Sequence, residues 1–238
     1  MSARKDLLFL KTLKEDGIEH VHLEKCTPTR PGLKSRSPEV KDRVLEAVPS
    51  SSSDLEISSL RAQVEKCKLC AELAKTRNKV VFGSGSAAAR LVFVGEAPGA
   101  DENEQGLPFV GRAGQLLTKI IEAMGLTREQ VFICNVLKCR PPNNRPPAPK
   151  EVENCRSFLK RQLELIRPKV IVALGNHAVK ALLGIEQGIS GLRGTFQEYE
   201  GIPVMCTYHP AYLLRSPGEK RKVWEDMKKV MKLLEQTS

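Results

Sequence analysis

No apolar run in the sequence approaches membrane-spanning length. The longest strand-like runs are LVFV and VIVAL, whereas a spanning helix needs about 20 apolar residues. The opening stretch MSARKDLLFLKTLKED has only a short apolar patch, acids follow at once, and no small-residue cleavage site appears. The expectation is a chain with no secretory signal, no membrane partner and a cytoplasmic location. Disulfides rarely persist there, so the seven cysteines read as metal ligands, reactive thiols or core residues. GxxxxGK[ST] is absent, and the glycine-rich turn GEAPG is not a GxGxxG. Nucleotide hydrolysis and dinucleotide binding are therefore poorly supported. No internal repeat is found.

What is present is a basic chain of 238 residues with net charge +10. Residues 1–56 hold ten Lys/Arg and ten Asp/Glu, so the whole excess lies on residues 57–238. A basic globular unit is the electrostatic footprint of a nucleic-acid binder, though solubility charge gives the same number. Residues 27–56 are rich in proline, serine and charge and lack aromatics, the composition of a linker or disordered segment. Before it, residues 5–16 suit a short helix and GIEHVHLEK a short strand. Two parts follow: an N-terminal extension, 1–56, largely linker or disordered in composition, and a globular domain, 57–238.

Within the second part, strands and helices alternate. ISSLRAQVEKC reads as a helix, ARLVFVG as a strand, and GRAGQLLTKIIEAMG as an amphipathic helix ended by Gly125. VFICNVLK is the second strand. A helix opens at the proline of APKEVENC and stops before Pro168. KVIVALG, the helix NHAVKALLG, the strand PVMCTYHP and the helix KRKVWEDMKKVMKLLEQ complete the chain. This alternation predicts an α/β fold of three α/β/α layers around a central, mainly parallel four-stranded sheet. The loops after its strand ends are where a site belongs.

Three such loops carry unusual residues: GEAPGADENEQGLPFVGRAG, the run from Lys138 to Arg145, and HPAYLLR at 209–215. Glycines such as Gly95 let backbone approach a ligand closely. A tight structural turn is the plain alternative, but Glu96, Asp101, Glu102 and Glu104 in one loop exceed what a turn needs.

Together GEAPGADENEQGLPFVGRAGQLL, ICNVLKCRPPNNRPP and YHPAYLLR resemble the signature blocks of the family 4 uracil-DNA glycosylases. The match runs in order from about residue 60 to 236 and leaves residues 1–56 outside. It implies a monofunctional hydrolase, without a lyase lysine, that acts as a monomer on uracil-containing DNA. Such an enzyme hydrolyses the N-glycosidic bond of a flipped-out uracil, the first step of base excision repair.

The resemblance assigns roles residue by residue. Phe109 matches the stacking aromatic, although a lone phenylalanine is more often core. Asn135 matches the base reader, whose carboxamide suits the N3–H and O4 of uracil and rejects cytosine. His209 matches a donor to uracil O2, for which a neutral imidazole N–H suffices. Glu96 is the candidate for orienting water or countering an oxocarbenium-like sugar. The aspartate that other families place next is Ala97 here, so a strong general base is missing at that point. Asn144 matches a catalytic asparagine, with Asn143 beside it leaving the assignment ambiguous. Glu102 is placed near uracil C5 to exclude thymine's methyl, because Gly99 stands where an aromatic blocker is used elsewhere. Gly95 belongs to the substrate-binding set. Leu213 and Leu214 are the expected wedge into the duplex, with Arg215, Lys220, Arg221 and Lys222 on phosphates. His177, at a helix start, reads as a cap or surface residue.

Cys67 and Cys70 form a CxxC pair, and fifteen residues separate Cys139 from Cys155. Four thiolates suit zinc or an iron–sulfur cluster, and spacing alone does not choose. The resemblance implies a [4Fe–4S] cluster on these four residues, structural in role. Cys134 and Cys206 read as core thiols, and Cys26 has no task. Two alternatives stand beside the enzyme. One is a superfamily member that binds or covalently traps uracil-DNA through a histidine in an inserted basic loop, which RGTFQEYEGIP lacks. The other is a zinc-stabilised DNA-binding module.

Overall fold

A computed structural model describes residues 52–237. The helix expected at 5–16, the strand GIEHVHLEK, Cys26 and the linker up to residue 51 lie outside the described residues. The first helix, α1 (Ser52–Glu65), crosses the expected boundary at 56/57. Its Ile57, Leu60 and Val64 recur at helical spacing and are buried. The folded unit thus begins at least five residues earlier than composition suggests.

After α1 come α2 (Ala71–Thr76), β1 (Ser84–Gly85), β2 (Leu91–Gly95), α3 (Ala100–Gln105) and α4 (Arg112–Ala123). Then follow β3 (Phe132–Asn135), α5 (Pro149–Ile166), β4 (Val170–Leu174), α6 (Asn176–Leu183) and α7 (Ile189–Leu192). The chain closes with β5 (Phe196–Tyr199), β6 (Ile202–Thr207), α8 (Pro210–Arg215) and α9 (Lys220–Gln236).

The sheet order is β1-β3-β2-β4-β6-β5, with the four central strands parallel. These four are the expected ones; the sheet itself has six strands. β1 pairs antiparallel with β3, and β5 with β6, one at each edge. Both edge strands escaped the sequence reading for physical reasons. β1 is two residues long, and FQEY in β5 alternates exposed and half-buried side chains without an apolar face. A two-residue turn, Glu200–Gly201, joins β5 to β6 with both φ angles positive (47° and 83°), the backbone that matches hairpin twist.

Burial explains the central strands. β2 and β4 are buried at every position, as strands covered on both faces must be. Alternate residues face opposite layers. Val92, Val94, Ile171 and Ala173 join one core with α1, α5 and α6. Leu91, Phe93, Val170 and Val172 join the other with α4 and α9. Three layers result, as expected. Helix α5 opens with Pro149 at its first turn and with the Glu151 carboxylate accepting the Ala148 N–H at 2.8 Å.

From β2 the chain goes to β3 on one side and then to β4 on the other. That reversal opens a crevice beyond the β2 carboxyl end. Glu96 is the first residue past it.

Candidate active site

A cavity of about 270 Å³ lies in this crevice, and Glu96, Glu102, Phe109, Asn135, Asn144 and His209 all line it. Residues from three separate loops thus meet in one cavity. Asn144, not Asn143, is on the wall.

Asn135 ends β3 opposite Gly95 of β2. Its side chain is buried, and its Oδ1 has no hydrogen-bond partner. A buried acceptor left unpaired costs about 1–3 kcal/mol, so this atom is poised for a donor that enters the cavity. A Cβ on Gly95 would fall 2.5 Å from Phe109 Cζ and closer still to Asn135 Oδ1. Only glycine keeps the ring and the amide this close. The Asn135 carbonyl is anchored from behind by the buried Lys138, whose Nζ donates at 2.7 Å to it and at 2.5 Å to Gln162 Oε1. Gln162 in turn donates to the Phe82 carbonyl at 2.9 Å.

Phe109 is buried, with a left-handed φ of 52°. That backbone costs a non-glycine residue about 1–2 kcal/mol, so its surroundings must hold it. Glu102 does part of this. Its carboxylate accepts the N–H groups of Val110 (2.8 Å), Gly111 (3.0 Å) and Gly99 (3.0 Å). Glu102 therefore stands on the wall as a fixed tie between loops, not a mobile acid.

His209 caps α8: its Nδ1 accepts the Ala211 N–H at 3.1 Å. Burial first, then the nearby Arg215, push its pKa down to about 4, against a smaller opposing pull from Glu102. The ring centroids of His209 and Phe109 are 5.6 Å apart, tilted by 32°. The turn that carries His209 is braced by Asp226, buried on α9, which accepts the Thr207 hydroxyl at 2.6 Å and pairs with Arg193.

Burial raises the pKa of Glu96, while His177 nearby lowers it. Glu96 and His177 also line a second cavity of about 440 Å³ with Asn176, Arg156 and Lys180. His177 is at the surface, as expected, but it also acts electrostatically on Glu96. Sequence reasoning missed that coupling because α6 and the β2 loop are far apart in the chain.

The expected DNA-contacting residues divide. Leu213 is fully buried among Met227, Val223 and other residues of the α9-side core, so it cannot be a wedge. In a six-residue helix packed on α4 one position per turn must face inward, and that position is 213. Leu214 is half-buried, and Tyr212 and Arg215 are exposed. Lys220 is buried, so it offers no free phosphate contact; Arg221 is exposed, and Lys222 is exposed but paired with Glu219 at 2.8 Å.

Cys67, Cys70, Cys139 and Cys155 are all free thiols. Cys139 lies within electrostatic reach of Cys67 and Cys70, and Cys155 within reach of Cys139 and Cys70. Hydrogen-bond donors face the sulfurs. Arg77 Nη1 reaches Cys139 Sγ at 3.0 Å, Asn154 Nδ2 reaches Cys70 Sγ at 3.4 Å, and the Lys138 N–H serves Cys155. Among the described residues no three His, Cys, Asp or Glu side chains are close enough to hold a single metal ion. N–H donors to sulfur are a feature of iron–sulfur ligand shells. Arg145 binds Glu151 (2.6 Å) and Glu72 (2.7 Å), so α2 and α5 are also tied directly. Cys134 and Cys206 are buried strand residues, as expected.

The strand ends of a mainly parallel α/β sheet thus bring an aromatic ring, an amide with an unpaired oxygen and an imidazole to one cavity. The chain belongs to the uracil-DNA glycosylase superfamily, whose family model matches residues 82–228. It is 46% identical over 179 residues to a type-4 uracil-DNA glycosylase of Archaeoglobus fulgidus, which covers 72% of this chain and 89% of that one. A type-4 uracil-DNA glycosylase of Thermotoga maritima is 48% identical, over 74% of this chain and 92% of its own. A type-5 uracil-DNA glycosylase of Pyrobaculum aerophilum is more distant, 36% identical over 56% of this chain. Among the described residues no helix is long and apolar enough to cross a membrane.

Proposed function

We propose that this protein excises uracil from DNA by hydrolysing the bond between uracil N1 and deoxyribose C1′, with residues 52–238 as the catalytic unit. The observation that carries this reading is the buried, partnerless Oδ1 of Asn135 beside Phe109 and Gly95. Uracil offers it the N3–H, while the amide nitrogen meets O4. Cytosine has no hydrogen on N3, so it would leave Oδ1 unpaired and set two donors against each other. Phe109 stacks on the ring.

As the N1–C1′ bond breaks, its electron pair moves onto uracil and charge builds up on O2. His209 uses Nδ1 as an acceptor, so its proton is on Nε2, the atom left to donate to O2. A fixed donor of this kind stabilises the developing anion more than the neutral base. Glu96 counters the positive charge at C1′ and orients the attacking water, whose proton it accepts. Asn144, which lines the same cavity, assists in holding that water. Glu102 keeps the stacking loop rigid against thymine's extra methyl.

The four cysteines hold a [4Fe–4S] cluster in this reading. When bound, it ties the segment before α2 to the loop after β3 and to α5. Leu214, Tyr212 and Arg215 face the DNA at the mouth.

The test is direct. Labelled single- and double-stranded oligonucleotides with one uracil are incubated with protein, then treated with alkali to cut abasic sites. Cleavage by the wild type and none by Asn135→Ala, with the fold and metal content unchanged, is the expected result. Equal cleavage by Asn135→Ala removes it as the reader.

A further inference from the structure

Arg128 lies before β3, between two signature blocks and in neither. Its guanidinium is committed to the turn that carries Phe109. Nη2 donates to the Pro108 carbonyl at 2.7 Å, and Nη1 donates to the Phe109 carbonyl at 3.0 Å. Nη1 also donates to Thr118 Oγ1 at 3.0 Å. The Thr118 hydroxyl itself donates to the Gly114 carbonyl one turn earlier in α4.

Gly114 closes the arrangement from below. A Cβ there would lie 2.7 Å from Phe109 Cα and would collide with the Phe109 carbonyl. The helix therefore supports the strained peptide directly. On the far side, the Glu102 carboxylate takes the N–H groups of Val110 and Gly111. Carbonyls 108 and 109 are thus held by a cation and N–H groups 110 and 111 by an anion. The residue between them has a left-handed φ that phenylalanine rarely adopts.

We propose that Arg128 is a positioning residue for base stacking: with Thr118 and Gly114 it fixes the strained Phe109 turn so that the ring presents its face to the flipped base. Arginine suits the task because its planar fork serves two successive carbonyls and a hydroxyl at once, which a lysine ammonium does with less geometric control. The inference rests on the proposed uracil excision. A planar base in the cavity has its stacking partner preset, and no ordering of the loop is needed when it enters.

The experiment is a double-mutant cycle on uracil excision from a single-stranded oligonucleotide. It uses wild type, Arg128→Met, Phe109→Ala and the double variant, with thermal melting recorded for each. Arg128→Lys and Thr118→Val are run beside them in case Arg128→Met does not fold. A misplaced stacking partner costs roughly ten- to hundredfold in kcat/KM. Arg128→Met should lose that much, and Arg128→Lys should recover part of it. Introduced into the Phe109→Ala variant, Arg128→Met should cost less than about threefold, because the ring it positions is already gone. Full activity in Arg128→Met, or in the substitute variants if it cannot be made, overturns the proposal. So does a loss of the same size with and without the Phe109→Ala change, which marks a purely structural role. Absence of uracil excision by the wild type sinks the functional reading itself and is told apart by that control.

Discussion

The Ala211 N–H donates to Nδ1 of His209 at 3.1 Å. This one bond selects the tautomer of the ring, because a nitrogen that accepts cannot also carry the proton. The remaining proton is on Nε2, and the helix whose N-terminus His209 caps favours a neutral ring over a cation at that point. In the proposed mechanism leaving-group stabilisation therefore comes from a neutral donor, and its pH dependence follows.

His209→Gln should retain more activity than His209→Ala, since an amide N–H can replace an imidazole N–H but a methyl cannot. Removing a preset donor costs roughly a hundredfold or more in kcat. With its pKa pushed down to about 4, the ring stays neutral across the working range and contributes no limb to the rate profile around neutral pH. The stability sign is fixed as well. Below the ordinary histidine value of 6.5 the unfolded chain takes up a proton that the folded chain resists. Stability is full above that value and falls as pH drops toward 4. Melting scans of wild type and His209→Gln over this window check it: the slope should be shallower in the variant.

Glu96 has the opposite shift. Burial raises its pKa, so the ionised form that serves the sugar cation is lost at higher pH than for an ordinary glutamate. The acid limb of kcat/KM should lie above the ordinary glutamate value and vanish in Glu96→Gln, with activity down roughly a hundredfold. His177→Ala should move the limb further up, because His177 lowers this pKa. A group with a raised folded pKa contributes stability below its unfolded value and loses it as pH rises. Glu96→Gln should accordingly melt higher than wild type at neutral pH. An acid limb unchanged in both variants would assign the titration elsewhere.

Gly95→Ala tests the closeness of ring and amide. The added methyl must displace Asn135 Oδ1 or the Phe109 ring, and overpacking of this kind costs roughly 1–3 kcal/mol. The expected outcome is a protein that folds and binds DNA but excises uracil roughly a hundredfold more slowly. Melting and single-turnover excision, measured on the same preparation, check both halves.

Much of this site could be read from the chain because its residues follow strands. VIVAL and LVFVG are buried on both faces and signal parallel strands by composition alone, and the loops after such strands converge by topology. What could not be read depends on packing between distant segments. Arg128 and His177 carry no motif, and each acts on a residue of the GEAPG–GLPFVG loop that only folding brings near. Leu213 failed differently. HPAYLLR places two leucines side by side, and only the packing of α8 on its neighbours decides which one faces inward. The edge strands were hidden because a half-exposed strand such as FQEY has no hydrophobic period.

That correction has its own consequence. Leu213→Ala should behave as a core truncation, costing roughly 2–5 kcal/mol of stability on any substrate. Tyr212→Ala, at an exposed position, should leave melting unchanged and reduce excision from duplex more than from single-stranded DNA. Parallel assays on the two substrates distinguish the roles; a duplex-selective loss in Leu213→Ala with normal melting would restore it as a wedge.

The cysteines give the last prediction. Cys139 and Cys155 are buried, and burial raises both thiol pKa values, that of Cys155 to about 11. Without a metal centre these thiols stay protonated and the sulfurs gain little from the N–H donors that face them. With a centre bound, the thiolates are neutralised by metal and the donors from Arg77, Asn154 and Lys138 become favourable. In the proposed reading the donors therefore face thiolates rather than free thiols. Purified protein should be brown, contain iron and acid-labile sulfide, and lose both in Cys139→Ser together with solubility. Since the same loop leads from Asn135 to Cys139, metal loss should melt the β3 end before it alters the Asn135 amide chemistry. A colourless protein with one zinc per chain and full excision would replace the cluster with a simple Cys₄ site, and a fully metallated, soluble Cys139→Ser would remove Cys139 from the ligand set.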